Sequence, residues 1–256
     1  MIKKTSKMTM AFTAILLALT ACSPSLNNRD PNSGVTNSGE SNNAAQPQSS
    51  YLKRDVREDV FYFVMPDRFN NGDVSNDSGA PKGSVSHGGL DTTSKWAFHG
   101  GDMAGIEQKL DYLKSMGITA IWMTPILRNK AVQKGGFAHH GYWIVDFTEI
   151  DPHFGSNADL KRLIDTAHKK DIKVFFDIIT NHTADVIKYE ECHNADGSFK
   201  SGLDRCAYRS LQEVKEQGTY RAFVPKKEQG EKFPEWLNDP RYYHNQGDTT
   251  FEGENS

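Results

Sequence analysis

Three runs of aliphatic, β-branched and aromatic residues punctuate the middle of this chain: residues 58–65 (Glu-Asp-Val-Phe-Tyr-Phe-Val-Met), 118–123 (Ile-Thr-Ala-Ile-Trp-Met) and 172–179 (Ile-Lys-Val-Phe-Phe-Asp-Ile-Ile). None shows the strict apolar–polar alternation of a strand with one wet face, so each reads as a strand buried on both sides. Pro66 closes the first and Pro125 the second. Between them Met103, Ile106, Leu110 and Leu113 recur at helical spacing up to Gly117, a natural C-terminal stop. Before the third run, Ser156-Asn157-Ala158-Asp159 offers an N-cap with an acid three positions on, and Leu160, Leu163, Ile164 and Ala167 supply an apolar helix face. Strands alternating with amphipathic helices predict parallel βαβ units, and so an α/β fold. The stretch through His140 to Phe154 reads as a long loop. Past Thr183 the pattern stops, and residues 184–256 read as an irregular inserted domain.

The N-terminus has a different character. Lys3, Lys4 and Lys7 precede an apolar run over residues 8–19, too short to span a bilayer comfortably, and Leu19-Thr20-Ala21-Cys22 follows. This resembles a bacterial lipoprotein signal, which implies cleavage after residue 21, acylation of Cys22, and an exported chain anchored by lipid to the bacterial membrane, at the outer membrane or cell surface. Residues 22–50, rich in Asn, Ser, Gly and Pro, cannot bury enough apolar surface to offset their ordering entropy and read as a disordered tether. Cys192 and Cys206 then remain, and an exported location permits them to pair. A net charge of −3 without a clustered basic field argues against nucleic acid or an anionic membrane surface as partner. A neutral or weakly charged ligand fits better.

Ligands of parallel α/β folds sit at the carboxyl ends of the strands. There the third run carries Asp177, Asn181 and His182: a carboxylate in an apolar strand, which needs a partner, then an amide oxygen and a ring donor. A satisfied strand terminus is the plainer reading of that cluster alone. A second cluster, His139-His140-Gly141-Tyr142-Trp143 with Asp146 and Asp151 after it, sets two aromatics beside a glycine, a flat platform suited to the apolar face of a sugar ring. The paired histidines lack Cys or Glu at ligand spacing and do not read as a zinc site. A third cluster, residues 67–77, is an oxygen-rich loop around Gly72 without the closing Glu of an EF-hand; Gly100-Gly101-Asp102 can return to it.

Asp67-Arg68-Phe69, residues 117–122, His140-Gly141-Tyr142-Trp143 and residues 177–182, in that order, resemble the alpha-amylase family of glycoside hydrolases from about Asp59 to the end of the chain. The resemblance implies a (β/α)8 TIM barrel, of which residues 51–183 are the N-terminal part with the first three strands, and a domain inserted after the third. It implies action on α-linked glucans (starch, glycogen or maltodextrin) by a retaining mechanism. Tyr142 becomes the stacking platform with Trp143 beside it, His140 and His182 the hydroxyl-binding partners, and Asp177 a buried supporting residue. Calcium is the implied cofactor. Asn181 matches one calcium ligand; Asn71, Asp73, Asn76, Asp77, Gly100 and Asp102 match a second loop found in the cyclodextrin-forming branch, with Asn71 and Asp73 exchanged relative to its usual pattern. The family's nucleophile and acid, at the ends of its fourth and fifth strands, are expected beyond Ser256, so this chain by itself is expected to be inactive. Gly202-Leu203-Asp204-Arg205-Cys206 imitates the nucleophile segment, but no strand precedes it. A surface lipoprotein that only binds sugar, or an inactive gene fragment, are the alternatives.

Overall fold

The computed structural model describes residues 50–133 and 135–248; the N-terminal leader, Cys22 and the tether up to residue 49 lie outside them. A single helical turn, α1 (Ser50–Lys53), leads to β1 (Phe61–Val64), and a long loop then reaches α2 (Met103–Gln108) and α3 (Leu110–Ser115). Next come β2 (Ala120–Met123), β3 (Leu127–Asn129), a small hairpin of β4 (Val132–Gln133) and β5 (Gly136–Phe137), and β6 (Ile144–Ile150). Helix α4 (Asn157–Lys169) and β7 (Lys173–Phe176) follow, and the last stretch carries β8 (Lys188–Tyr189), α5 (Leu211–Gln217) and β9 (Ala222–Phe223).

Strands β1, β2 and β7 form one parallel sheet in that order, in register Phe63–Trp122–Phe175 and Val64–Met123–Phe176. One face packs on the helices. Tyr62, Val64, Ile121 and Met123 meet Met103, Ile106, Leu110 and Leu113 of α2 and α3 and Leu163 and Ala167 of α4 in the main apolar cluster. The other face presents Phe61, Phe63 and Trp122, each between 41% and 55% exposed, with Phe63 edge-on to Trp122 at 5.2 Å. Both faces of these strands are apolar, as the sequence implies, yet among the described residues helices cover one face only and the sheet does not close.

Several boundaries differ from the sequence reading for local reasons. The expected single helix over Met103 to Leu113 is two, because the backbone at Lys109 leaves the helical region (φ −103°, ψ 6°). Strand β7 stops at Phe176, so Asp177 stands just past the strand rather than within it. The expected long loop before Phe154 contains β6, antiparallel to β3 with register shifts on both sides of Arg128 that break the alternation a strand would show. The N-cap of α4 does form: Ser156 and Asp159 make a reciprocal capping box. In the last segment Cys192 and Cys206 are disulfide-bonded, Cα atoms 5.7 Å apart and 14 residues apart in sequence, beside Tyr220 and Tyr189.

The amino-terminal edge of the sheet is held by one carboxylate. The Asp59 side chain, fully buried, takes hydrogen bonds from Arg54, from Thr119 Oγ1 (2.9 Å) and from Lys173 Nζ (2.7 Å), so one group ties the starts of β1, β2 and β7. Burial pushes its pKa up, but the hydrogen bonds from Lys173, Arg54 and Thr119 outweigh that and hold it below 3.8. Its stabilisation is therefore complete above the ordinary carboxylate pKa and lost as pH falls through the lower folded value. We expect Asp59→Asn to cost about 3 kcal/mol by urea unfolding at pH 7, since it leaves two half-buried cations, Arg54 and Lys173, without their shared carboxylate. The mutant should also lose less stability than the parent between pH 5 and pH 2, as stated roughly by this linkage; parallel acid curves would show that Asp59 is not a clamp. Reducing the Cys192–Cys206 bond should lower stability by about 3 kcal/mol, the loop-closure value for a loop of this length, and two reactive thiols in the unreduced, unfolded protein would contradict the pairing.

Candidate active-site face

Tyr142 is placed by contacts from three directions. Gly141, at φ +85°, brings the turn so close to β2's exit that any Cβ there would overlap the Pro125 carbonyl, so only glycine permits this approach. The Tyr142 N–H donates to His140 Nδ1 (3.0 Å), its hydroxyl donates to Asp177 Oδ2 (2.7 Å), and its carbonyl accepts from His182 Nε2 (3.2 Å). His140 and Tyr142 thus meet Asp177 and His182, two pairs distant from each other in sequence, at the carboxyl end of the sheet. Tyr142 and Asp177 are half-buried and His182 is exposed, so Asp177 supports Tyr142 from the rim where a buried residue was expected. Trp143 also departs from expectation. It is half-buried against both apolar clusters, its ring edge-on to His140 at 4.9 Å and so close to Gly136 that a side chain there would strike it. It backs the platform and does not form it.

The hydrogen bonds fix proton positions. Because His140 Nδ1 accepts from a main-chain N–H, its ring proton sits on Nε2. Burial, and then the charge of His139, lowers the His140 pKa to about 4, so the ring is a neutral donor at neutral pH. His182 donates through Nε2, which leaves Nδ1 as its acceptor edge. The bond to Asp177 pushes the Tyr142 hydroxyl up to about 12, with burial and the carboxylate's charge adding to it. The face therefore offers an uncharged ring, an N–H donor, an imidazole acceptor and one carboxylate. Those are groups that bind hydroxylated, uncharged molecules.

Beneath this face runs a buried chain absent from the sequence reading. Gly88 O bonds His153 Nε2 (3.0 Å), His153 Nδ1 bonds Asp151 Oδ1 (2.7 Å), Asp151 Oδ2 accepts from Asn129 N (2.7 Å), and Asn129 Oδ1 accepts from Trp143 N (2.5 Å). His153 also stacks on Phe98 at 3.9 Å. Asp151, His153 and Asn129 are all buried. Asp151 follows the aromatic cluster singled out in the sequence, but Asn129, at the end of β3, carries no local signal. Nearby, buried Asp67 accepts from the N–H groups of His99 (2.8 Å) and Gly100 (3.2 Å), and Arg68 Nε pairs with its other oxygen at 2.8 Å. Burial pushes Asp67 up despite those contacts.

In the oxygen-rich loop Asp102, fully buried, accepts from Gly72 N (3.1 Å), Asp73 N (2.9 Å), Asn76 Nδ2 (3.0 Å) and Gly105 N (2.6 Å), so it caps α2 and gathers the loop at once. Asp77 Oδ1 accepts from Asn71 Nδ2 (2.7 Å), and a side chain at Gly100 would strike both. Asp73 turns to Ser75 instead. The expected ligands do share one loop, but among the described residues no group of three His, Cys, Asp or Glu side chains is placed to hold a metal ion. One buried oxygen, Asn76 Oδ1, lacks a hydrogen-bond partner. Asn181 is exposed and lines a different hollow. Asp204, in the segment that imitates a nucleophile, is exposed on a bend.

The sequence model of the alpha-amylase catalytic domain matches residues 63–255. The chain is 47% identical over 187 residues to the alpha-amylase of Streptomyces lividans, which covers 66% of this chain and 20% of that protein. It is 38% identical over 144 residues to the cyclomaltodextrin glucanotransferase of Klebsiella oxytoca, covering 55% and 21%. An alpha-amylase structure from Geobacillus thermoleovorans, complexed with acarbose, is 43% identical with a TM-score of 0.42 over 52% of this chain and 25% of that one. The chain spans about a fifth of the length of the Streptomyces and Klebsiella relatives. With its Tyr142 face lying wholly inside the matched region, this chain belongs to the alpha-amylase family of glycoside hydrolases.

Proposed function

We propose that this chain supplies the α-glucan-binding side of a retaining glycosidase, and that β1, β2 and β7 are the first three strands of a (β/α)8 barrel. The convergence of His140, Tyr142, Asp177 and His182 carries this reading, because an uncharged aromatic ring flanked by hydrogen-bond donors and acceptors suits a glucosyl unit. The aromatic second face of the sheet supports the barrel: Phe61, Trp122 and Phe175 line an open hollow of about 690 Å³ of the kind a barrel interior fills with side chains. Relatives named for amylase and glucanotransferase activity, and one bound to acarbose, support the substrate class. Export and anchoring through Cys22 belong to the same proposal, as a lipoprotein signal would deliver it to an extracellular polymer.

The described residues are assigned binding and not bond cleavage. A retaining mechanism needs a carboxylate nucleophile and a carboxylic acid about 5 Å apart. Asp177, the carboxylate at this face, already accepts the Tyr142 hydroxyl. Its role is to orient that ring, while His140 Nε2–H and the acceptor edge of His182 hold sugar hydroxyls. We expect the 256-residue chain to bind acarbose measurably by titration calorimetry and to release no reducing sugar from starch. Tyr142→Ala should weaken binding about tenfold or more, the effect of losing an aromatic stack together with its hydrogen-bonded frame. Equal acarbose affinity in parent and mutant would exclude this face as the glucan site.

Calcium fits the loop at residues 71–77 through oxygens rather than through a carboxylate cluster. Asn76 Oδ1 is buried with no partner, and Gly100 approaches the Asn71–Asp77 pair so closely that only a glycine fits there. Asn71, Asp73, Asn76, Asp77 and the Gly100 carbonyl would hold the ion, with Asp102 fixing the loop and Asn181 serving a separate site. The ion would supply local charge compensation and rigidity. Added calcium should raise the melting temperature, and Asn76→Ala should remove most of that rise; a melting temperature indifferent to both calcium and chelator would end the proposal.

A further inference from the structure

We infer that Asn129 is a positioning residue for the glucan face, fixing the peptide between Tyr142 and Trp143, and that the Asp151–His153 pair exists to hold Asn129. The inference rests on the glucan-binding reading of Tyr142 and adds what aims that ring. Asn129, Asp151 and His153 are 0%, 0% and 1% exposed, so none of them can touch a sugar. They act on main-chain atoms.

The peptide joining Tyr142 to Trp143 is gripped from both sides. Its N–H, on Trp143, donates to Asn129 Oδ1 (2.5 Å), and its carbonyl, on Tyr142, accepts from His182 Nε2 (3.2 Å). One peptide plane therefore sets both the direction of the platform ring and the seat of a hydroxyl-binding imidazole. Trp143 O accepts in turn from Lys130 N (2.9 Å), so residues 129 and 130 hold both main-chain polar groups of Trp143. An alanine at 129 would take the acceptor from the Trp143 N–H, and an orphaned donor in a partly buried place costs free energy that turning the peptide toward water recovers. The platform would turn with it.

Asn129 is itself fixed at every polar group. Its Nδ2 donates to Leu127 O (2.6 Å), which assigns Oδ1 to Trp143; its N–H donates to Asp151 Oδ2 (2.7 Å), and its carbonyl accepts from Ser86 Oγ (2.6 Å). Asp151 is set by His153, whose Nδ1 meets Asp151 Oδ1 at 2.7 Å and whose main-chain N–H donates to the same oxygen at 2.9 Å. The His153 ring cannot swing: it stacks on Phe98 at 3.9 Å, its Nε2 meets Gly88 O at 3.0 Å, and Gly79 comes so close that a Cβ there would strike it. Stability alone does not call for such a chain, since apolar side chains of the same volume often stabilise a core as well as a buried polar set does. Hydrogen bonds add direction, which apolar contacts lack.

The test is titration calorimetry of the 256-residue chain with acarbose, with the melting temperature of each variant recorded beside it. Asn129→Ala should weaken acarbose about tenfold, and in a Tyr142→Ala background the same change should add clearly less, because both act on one peptide and its ring. Ser86→Ala removes a bond to the Asn129 carbonyl but leaves the Asn129 amide on Trp143, so it should bind acarbose like the parent even where it melts lower. Asp151→Asn, equal in volume, should weaken acarbose by a smaller factor, and it decides the matter if Asn129→Ala does not fold: parent affinity in folded Asp151→Asn would then overturn the inference. Parent affinity in folded Asn129→Ala, equal losses in Asn129→Ala and Ser86→Ala, or additive losses in the double mutant would each overturn it too, and with Tyr142→Ala still losing acarbose the Tyr142 reading would stand. Parent affinity in Tyr142→Ala would end both.

Discussion

The hydrogen bond from Asp177 N to Met123 O, 3.1 Å long, continues the parallel pairing of β7 with β2 by one step past the last strand residue, and the site depends on it. That step sets Asp177 level with the exit of β2. Pro125, two residues beyond Met123, presents the carbonyl against which Gly141 packs, and Gly141 carries Tyr142. The 2.7 Å bond between Tyr142 and Asp177 therefore closes a loop that starts and ends on the same pair of strands. A slip of one residue between β2 and β7 would turn every side chain of β7 to the opposite face and carry Asp177 away from the tyrosine. The register is protected by the core, because Val174 packs with Ile121 and Met123 on the helix side.

Two aspartates at opposite ends of this sheet show how surroundings divide structural from functional groups. Asp59 is fully buried and meets Arg54, Lys173 and Thr119, which take up its carboxylate oxygens. Nothing is left for a ligand. Asp177 meets a single phenol, stays half-buried, and sits where the hollow on the aromatic sheet face begins. A carboxylate with one neutral partner and access to solvent remains able to accept further hydroxyls. The same residue type is a saturated clamp at the strand starts and a singly bonded carboxylate that orients Tyr142 at the strand ends.

What could be read from the sequence was what is local or repeats with a fixed period. The apolar runs of β1, β2 and β7, the face of α4 and its Ser156–Asp159 capping box depend on neighbours a few residues away. Asp177 and His182 were also visible, because chemistry-bearing residues at the end of an apolar strand stand out, and His140 and Tyr142 because aromatics beside a glycine do. Strand β6 was not, since its residues alternate poorly and its partner β3 is irregular. Nor was the role of Asn129, whose amide oxygen orders Trp143 across 14 residues of chain. The misplacement of Trp143 has the same origin. Sequence adjacency to Tyr142 suggested a shared platform, whereas the bend before β6 leaves Tyr142 bonded to Asp177 and Trp143 packed against both apolar clusters.

Strand β6 also explains why the segment after Thr183 bears on the site. Ile144 accepts from Ala184 N (2.8 Å), Val145 accepts from Phe233 N (2.8 Å), and Val145, Ala184 and Val186 share a buried cluster against which Trp143 packs. The segment thus touches the Tyr142 loop through Trp143, and His182, just before it, touches the loop again. Each of these contacts joins residues distant in sequence, so each carries a loop-closure cost that only tertiary burial offsets. The platform's rigidity is consequently a property of the assembled face: loosening the segment that bears Phe233 would release Val145 and Trp143 before it disturbed the parallel sheet, whose own clamp at Asp59 lies at the other end.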